Sequence, residues 1–174
     1  MRSSPRPVCA APRLTLKPGA TVRSLDFDLG APGSYSDFKA DGQWQLSADP
    51  AHSRGLWRPA PGSASLSYRV RLSQPRKNGA FDTRITTDWA LFRGEQLIPP
   101  ANLDQQDGVE LVSRLEFELP SGWKSVETAW PRIGKNRFRI DDVSRLFDRP
   151  TGWMLAGNLG SRSPARTTTS CTPS

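Results

Sequence analysis

Between Ala64 and Ser73 the chain reads ASLSYRVRLS, and Leu66, Tyr68, Val70 and Leu72 alternate with Ser67, Arg69 and Arg71. Successive side chains on a strand point to opposite faces, so this run makes a sheet with one apolar and one solvated side. The same period of two runs through VRSLDFDLG, where Leu25, Phe27 and Leu29 share one face and Asp26 and Asp28 the other. Shorter strands are expected at RLTLK, QWQLSAD, RGLWRPA, ITTDWALFRG, VETAW, NRFRI and TGWMLAGNLG. A long one is expected at ELVSRLEFELPSGW, with Leu115, Phe117 and Leu119 facing one way and the Pro120–Gly122 turn closing it.

Turn chemistry separates these runs. Gly and Pro number 14 and 16 of 174 residues, with tight turns at Pro32-Gly33 and Asp41-Gly42. QPRKNGAFD reads as a basic, solvated turn and IPPANLDQQDG as a loop. One segment has helical spacing: in DDVSRLFDRP, Asp141 or Asp142 caps, Val143, Leu146 and Phe147 form an apolar side, and Pro150 stops it. The expectation is roughly ten strands and no internal repeat. The fold class is mainly β, with antiparallel sheets packed as a sandwich-like domain and one short helix near residues 142–147.

The net charge of +7 raises the question of nucleic acid, and its location answers it. Arg2, Arg6, Arg13, Lys17 and Arg23 are unopposed by any acid in the first 25 residues, as are Arg162 and Arg166 after residue 160. The remaining 17 basic residues face all 17 acidic ones between residues 26 and 160. A phosphate-binding face needs its positive charge clustered on a folded surface, so no nucleic-acid partner is expected. No run approaches the ~20 apolar residues that span a bilayer, and no membrane span is expected.

Cys9 and Cys171 are the only cysteines, one near each end, with no C-x-x-C spacing or adjacent histidine to suggest zinc. They read as unpaired thiols, although a disulfide between them stays open. The basic start MRSSPRPVCAAPRLTLK has no apolar h-region, and after Arg162 the composition turns to Ser, Thr, Arg and Pro. The expected organisation is a flexible basic segment at 1–13, a β domain at 14–160 and a disordered tail at 161–174. That pattern suits a chain clipped at both ends or read out of frame at its end.

The sequence is poor in catalytic constellations. His52 is the only histidine, which excludes an H-E-x-x-H zinc site, and no serine sits in a G-x-S-x-G elbow. No glycine-rich phosphate loop occurs, and DQQDG lacks the ligand spacing of a calcium loop. Asp26 and Asp28 read as the solvated side of a strand rather than metal ligands. A pair of carboxylates drawn from Asp88, Glu116, Glu118 and Asp142 keeps an acid-pair hydrolase as a third reading. The six tryptophans, Trp44, Trp57, Trp89, Trp123, Trp130 and Trp153, lie in or beside apolar strands. Core or sheet-edge packing is their expected use, with sugar stacking the alternative.

Several pieces, in order, resemble the N-terminal domain of the glycyl aminopeptidase family of metallopeptidases, the M sixty-one family. APGSYSDF supplies a Pro-Gly-Ser-Tyr turn and a following aromatic (Pro32, Gly33, Ser34, Tyr35, Phe38). LWRPAPGSASLSYRV places Trp57 ahead of a strand ending in Tyr68 and Val70, and WALFRG resembles a later strand end. Leu119, Pro120, Gly122 and Trp123 match an LPxGW strand end, and Asp148, Arg149 and Pro150 an Asp-x-Pro segment. The resemblance covers roughly residues 14–160.

In that family the zinc ligands and catalytic Glu follow this region, so no catalytic or metal residue is carried over. The resemblance implies a non-catalytic β domain without cofactor, scaffolding or shaping a peptide-binding cleft, with a peptidase catalytic domain or a peptide as partner. Tyr35, Trp57, Tyr68 and Trp123 are its candidate binding positions, and an exported or periplasmic bacterial protein is the setting it suggests. The alternative is a stand-alone β-sandwich module that binds carbohydrate or peptide.

Overall fold

The computed structural model describes residues 9–18, 21–48, 51–72, 83–107, 111–141 and 147–160. The expected helix at 142–147 falls, except for Phe147, outside the described residues, as do residues 1–8 and the tail at 161–174.

The described chain is mainly β, and every strand pairing in it is antiparallel. In the first sheet β7 (Ala64–Arg71) is central. β1 (Cys9–Ala10) and β2 (Arg13–Leu16) share one of its edges, and β4 (Tyr35–Ala40) takes the other. The second sheet runs β10 (Ala101–Gln105), β3 (Val22–Gly30), β6 (Ser53–Pro59), β5 (Gly42–Ala48). The alternating runs pack these two sheets: Leu25, Phe27, Leu29 and Trp57 of one and Leu66, Tyr68 and Val70 of the other are all buried. Each large apolar side chain removed from water stabilises by about 1.5–3 kcal/mol. Phe38 of β4 stacks on Trp44 of β5 at 4.5 Å and closes the flank between the sheets.

A second pair of sheets carries the rest. β11 (Ser113–Glu116), β14 (Arg137–Ile140) and β13 (Arg132–Gly134) form one. The other is β12 (Ser125–Thr128), β15 (Trp153–Gly157), β9 (Trp89–Arg93) and β8 (Arg84–Ile85). Phe117 lies between Phe92 and Phe138, at 6.4 and 6.1 Å, and joins the two. The one helix among the described residues, α1 (Gly94–Leu97), is a single turn after β9. Phe27, Tyr68, Leu97, Phe92, Val126, Phe138 and Met154 belong to one continuous core, so the two halves share their interior.

Two expectations need correction. IPPANLDQQDG is not all loop, because Ala101–Gln105 pairs with Val22–Phe27 as an edge strand. Pro99 and Pro100 stop before the ladder begins, so they do not prevent it. ELVSRLEFELPSGW pairs in β11 over only four residues, although Leu115, Phe117 and Leu119 do alternate with exposed neighbours up to Pro120. Within segment 1–13, Cys9–Ala10 and Arg13 pair along the edge of β7.

Candidate functional site

Tyr35 and Tyr68 converge on the one-turn helix. A helix leaves its last carbonyls without intrahelical partners, and a helix of one turn leaves nearly all of them so. Here three successive carbonyls receive donors from distant segments. Tyr68 Oη donates to the Leu97 carbonyl at 2.9 Å, and Arg149 Nη1 to that of Ile98 at 3.2 Å. Tyr35 Oη reaches the Gln96 carbonyl at 3.4 Å, a longer and weaker contact. The two rings meet edge to face at 5.8 Å, because Tyr35 pairs across the sheet with Val70, two residues beyond Tyr68.

The start of α1 is held as firmly. Gly94 N–H donates to the Gly152 carbonyl at 2.9 Å, and Gly152 N–H donates to Glu95 Oε2 at 2.8 Å. Gln96 Oε1 accepts from Thr83 Oγ1 at 2.6 Å and from the Arg93 N–H at 3.3 Å. A side chain at Gly94 would meet the Pro150 carbonyl carbon at 2.8 Å and the Met154 methyl at 2.7 Å. Only hydrogen fits between α1 and Pro150.

Above this joint lies an open groove of about 420 Å³, lined among others by Asp28, Tyr35, Arg71, Glu95, Gln96 and Pro100. Its two carboxylates are already engaged. Asp28 Oδ1 accepts from the Gly30 N–H at 3.0 Å and lies 2.9 Å from His52 Nε2, while Glu95 holds Gly152. Burial raises the Tyr35 phenol above its ordinary value, opposed by the Arg149 charge and reinforced by Asp28. Deeper burial, with Tyr35 beside it, pushes Tyr68 further up. Both phenols are therefore neutral donors at neutral pH, suited to holding carbonyls rather than to proton transfer.

The other candidate positions lie apart. Trp57 is fully buried, and its Nε1 donates to the Asp41 carbonyl at 3.0 Å. Asp41 Oδ2 in turn accepts from the N–H and Oγ of Ser65, at 3.0 and 2.8 Å, which ties the β4–β5 turn to β7. Trp123 Nε1 donates to the Thr87 carbonyl at 2.9 Å, in the turn before β9. The structure thus joins Tyr35 to Tyr68 and leaves Trp57 and Trp123 outside their cluster. Gly94, Glu95, Gln96 and Arg149 complete the joint. Of these, Gly94 and Arg149 lie in segments that carry the resemblance, while Glu95 and Gln96 give no sequence signal.

The remaining chemistry is dispersed. Asp26 forms an ion pair with Arg54 at 2.7 Å, and this partner raises the arginine's pKa. Glu116, paired with Arg137 at 3.0 Å, and Glu118 lie on the exposed face of their segment, Asp88 is exposed in a turn, and Asp142 lies outside the described residues. Among the described residues no group of three or more His, Cys, Asp or Glu is placed to hold a metal ion. No helix there is long and apolar enough to cross a membrane. Trp153 is the exposed member of the six tryptophans, with the Arg93 guanidinium 4.7 Å over its ring.

No protein-family model matches the chain, and no curated protein matches it. Among solved structures, it is similar to an aminopeptidase N family protein from Idiomarina loihiensis, with a TM-score of 0.54 and 17% identity. The match covers 86% of this chain and 27% of that one, so this chain spans about a quarter of its neighbour. The likeness is one of fold.

Proposed function

We propose that this chain is a non-catalytic β domain of a metallopeptidase-like protein, related to the N-terminal domain of the glycyl aminopeptidase family, and that it helps shape a peptide-binding cleft. The observation that carries this reading is the convergence of the family-like residues. Tyr35, Tyr68, Gly94, Arg149 and Pro150 come from four separate sequence segments and meet around one turn of backbone. Each acts on the protein's own carbonyls or packing, as the parts of a rigid frame do, and none presents a nucleophile to solvent. The fold likeness to part of a longer aminopeptidase N family chain agrees with a domain that works beside a catalytic unit.

The test is direct. The purified chain should carry no stoichiometric zinc and should not hydrolyse aminoacyl amides, with or without added metal. A catalytic zinc needs several protein ligands and an open position, and the described residues offer no such group. Chelator-sensitive hydrolysis together with one zinc per chain would overturn the proposal. Exposed Trp153 supports the carbohydrate-binding alternative, and a saturable oligosaccharide titration that quenches its fluorescence would establish that reading instead.

A further inference from the structure

The second sheet ends in an edge that lacks the usual protection. β5 pairs with β6 on one side, and no described strand pairs with its other side. Natural edges are blunted by charge, proline, a bulge or short length. β5 reads GQWQLSA, seven residues with no charge and no proline, and its register with β6 runs without a shift from Gly42↔Pro59 to Ala48↔Ser53.

The side chains of this edge carry a further signal. Trp44 is opposite Trp57 and Leu46 opposite Gly55, so both point to the face that packs on the first sheet. Trp44 finds Phe38 and Phe27 there, at 4.5 and 6.3 Å. Leu46 extends past that cover and is 55% exposed, although it faces the core side. The apolar face therefore continues one position beyond the sandwich that should bury it.

We propose that β5 pairs with β5 of a second copy of this chain, antiparallel about a two-fold axis at Gln45, to make a continuous eight-stranded sheet across a dimer. A second copy suits this edge because β5 carries no charge to repel its twin and offers an aromatic side chain to cover the exposed Leu46. With Gln45 opposite Gln45 all seven residues pair, and each exposed Leu46 falls opposite the Trp44 of the other copy. On the outer face Gln43 meets Ser47, and the two Gln45 side chains meet at the axis, where each amide N–H can donate to the other's Oε1, an oxygen that also lies 3.5 Å from Arg58 Nη1 of its own sheet. No residue of β5 is charged, so no charges stand directly opposite each other across the seam. A contact one strand wide lies at the small end of interface sizes, so the dimer is weak, with Kd on the order of 10–100 µM.

The experiment is sedimentation velocity of the full chain over a concentration series, with two charge variants at the axis. The wild-type protein should shift from monomer to dimer. Gln45→Lys places like charges directly across the axis and should weaken dimerisation about fivefold or more, as should Gln45→Glu. An equimolar mixture of the two variants should recover it as a heterodimer, a result that a mere folding defect does not give. Circular dichroism and the unfolding midpoint of each variant should stay close to the wild type, because the Gln45 side chain is exposed and its hydrogen bond from Arg58 Nη1 is long, at 3.5 Å. A chain that stays monomeric throughout the series would overturn the proposal. So would a dimer that both variants leave intact, or variants whose mixture fails to recover it.

Discussion

At the scale of single residues, the four aromatic candidates separate by what surrounds them. Trp57 is enclosed on all sides and its indole N–H is satisfied by Asp41, so Trp57→Ala should cost about 3–5 kcal/mol in chemical denaturation. Trp123 is only half-buried, and Trp123→Ala should cost clearly less. Equal losses would show that Trp123 supports more than its turn. Tyr35 and Tyr68 are the only tyrosines of the chain, which makes their ionisation directly visible. Both phenols are raised above 10.0 in the folded protein, chiefly by burial, and the unfolded chain titrates near that ordinary value. Below about pH 10 both states are protonated and the stabilisation is intact. As pH rises through the folded values, the unfolded state has already lost its protons and the folded state is progressively disfavoured. Tyrosinate absorbance should therefore appear later than in a free-tyrosine control and rise together with unfolding. Tyr68→Phe should flatten this alkaline loss, yet cost about 1–3 kcal/mol at neutral pH by leaving the Leu97 carbonyl without its donor. A normal titration at pH 10 from both residues would mean that the hydroxyls are not held as described.

At the scale of elements, the legible parts were those whose register protects a clean alternation. β3, β6 and β7 pair in the interior of their sheets, and their apolar residues fall buried as their spacing predicts. β4 was hidden because its register shifts between Ser36 and Lys39, with Asp37 at a φ of 56°, so its side chains do not keep a period of two. β10, reading ANLDQ at an edge, alternates Ala101 and Leu103 with exposed Asn102 and Asp104 but ends in Gln105, so its apolar period is too short to stand out from a loop. α1 is too short to show any period, and its hold comes from Tyr35, Tyr68 and Arg149, residues far away in sequence. For the same reason the joint is not legible as a site in the sequence, even though Tyr35, Tyr68, Gly94, Arg149 and Pro150 all lie in segments that carry the resemblance. Gly94 is the most sensitive point of that joint. Its φ is not in the left-handed region, so the constraint is purely one of space: Pro150 backbone and the Met154 methyl occupy the volume a side chain would need. Gly94→Ala should destabilise by about 1–3 kcal/mol, the range of overpacking in a tight interior. Gly134→Ala is the control, since its nearest atom would be Arg137 Cβ at 3.4 Å, an ordinary contact. Indistinguishable stabilities for the two variants would show that the strand end and Pro150 are free to part.

At the scale of the whole molecule, the question is whether four sheets make two domains or one. Each half has its own aromatic cluster: Phe38, Trp44 and Tyr68 in the first, Phe92, Phe117 and Phe138 in the second. Such clusters could in principle melt separately. Three kinds of contact oppose this. Phe27 of the first half packs edge to face on Phe147, at 6.1 Å, in the segment that leads into β15. The Asp28 N–H donates to the Pro100 carbonyl at 2.8 Å, just after α1. The tyrosines of the first sheet hold carbonyls of α1, while Gly94 and Glu95 are hydrogen-bonded to Gly152 on the other side. Loss of either half would leave these buried groups without partners, at about 1–3 kcal/mol for each unsatisfied group. Urea unfolding should accordingly be a single transition, with tryptophan fluorescence and far-ultraviolet circular dichroism giving one midpoint. Tryptophans occur on both sides of the joint, Trp44 and Trp57 in one half and Trp89, Trp123 and Trp153 in the other, so each half is reported optically. Gly94→Ala strains the joint itself, and it should lower the common midpoint without splitting it. Two resolved transitions in the wild-type chain would show that the shared core is a contact between independent domains, and the rigid frame proposed for the cleft would lose its physical basis.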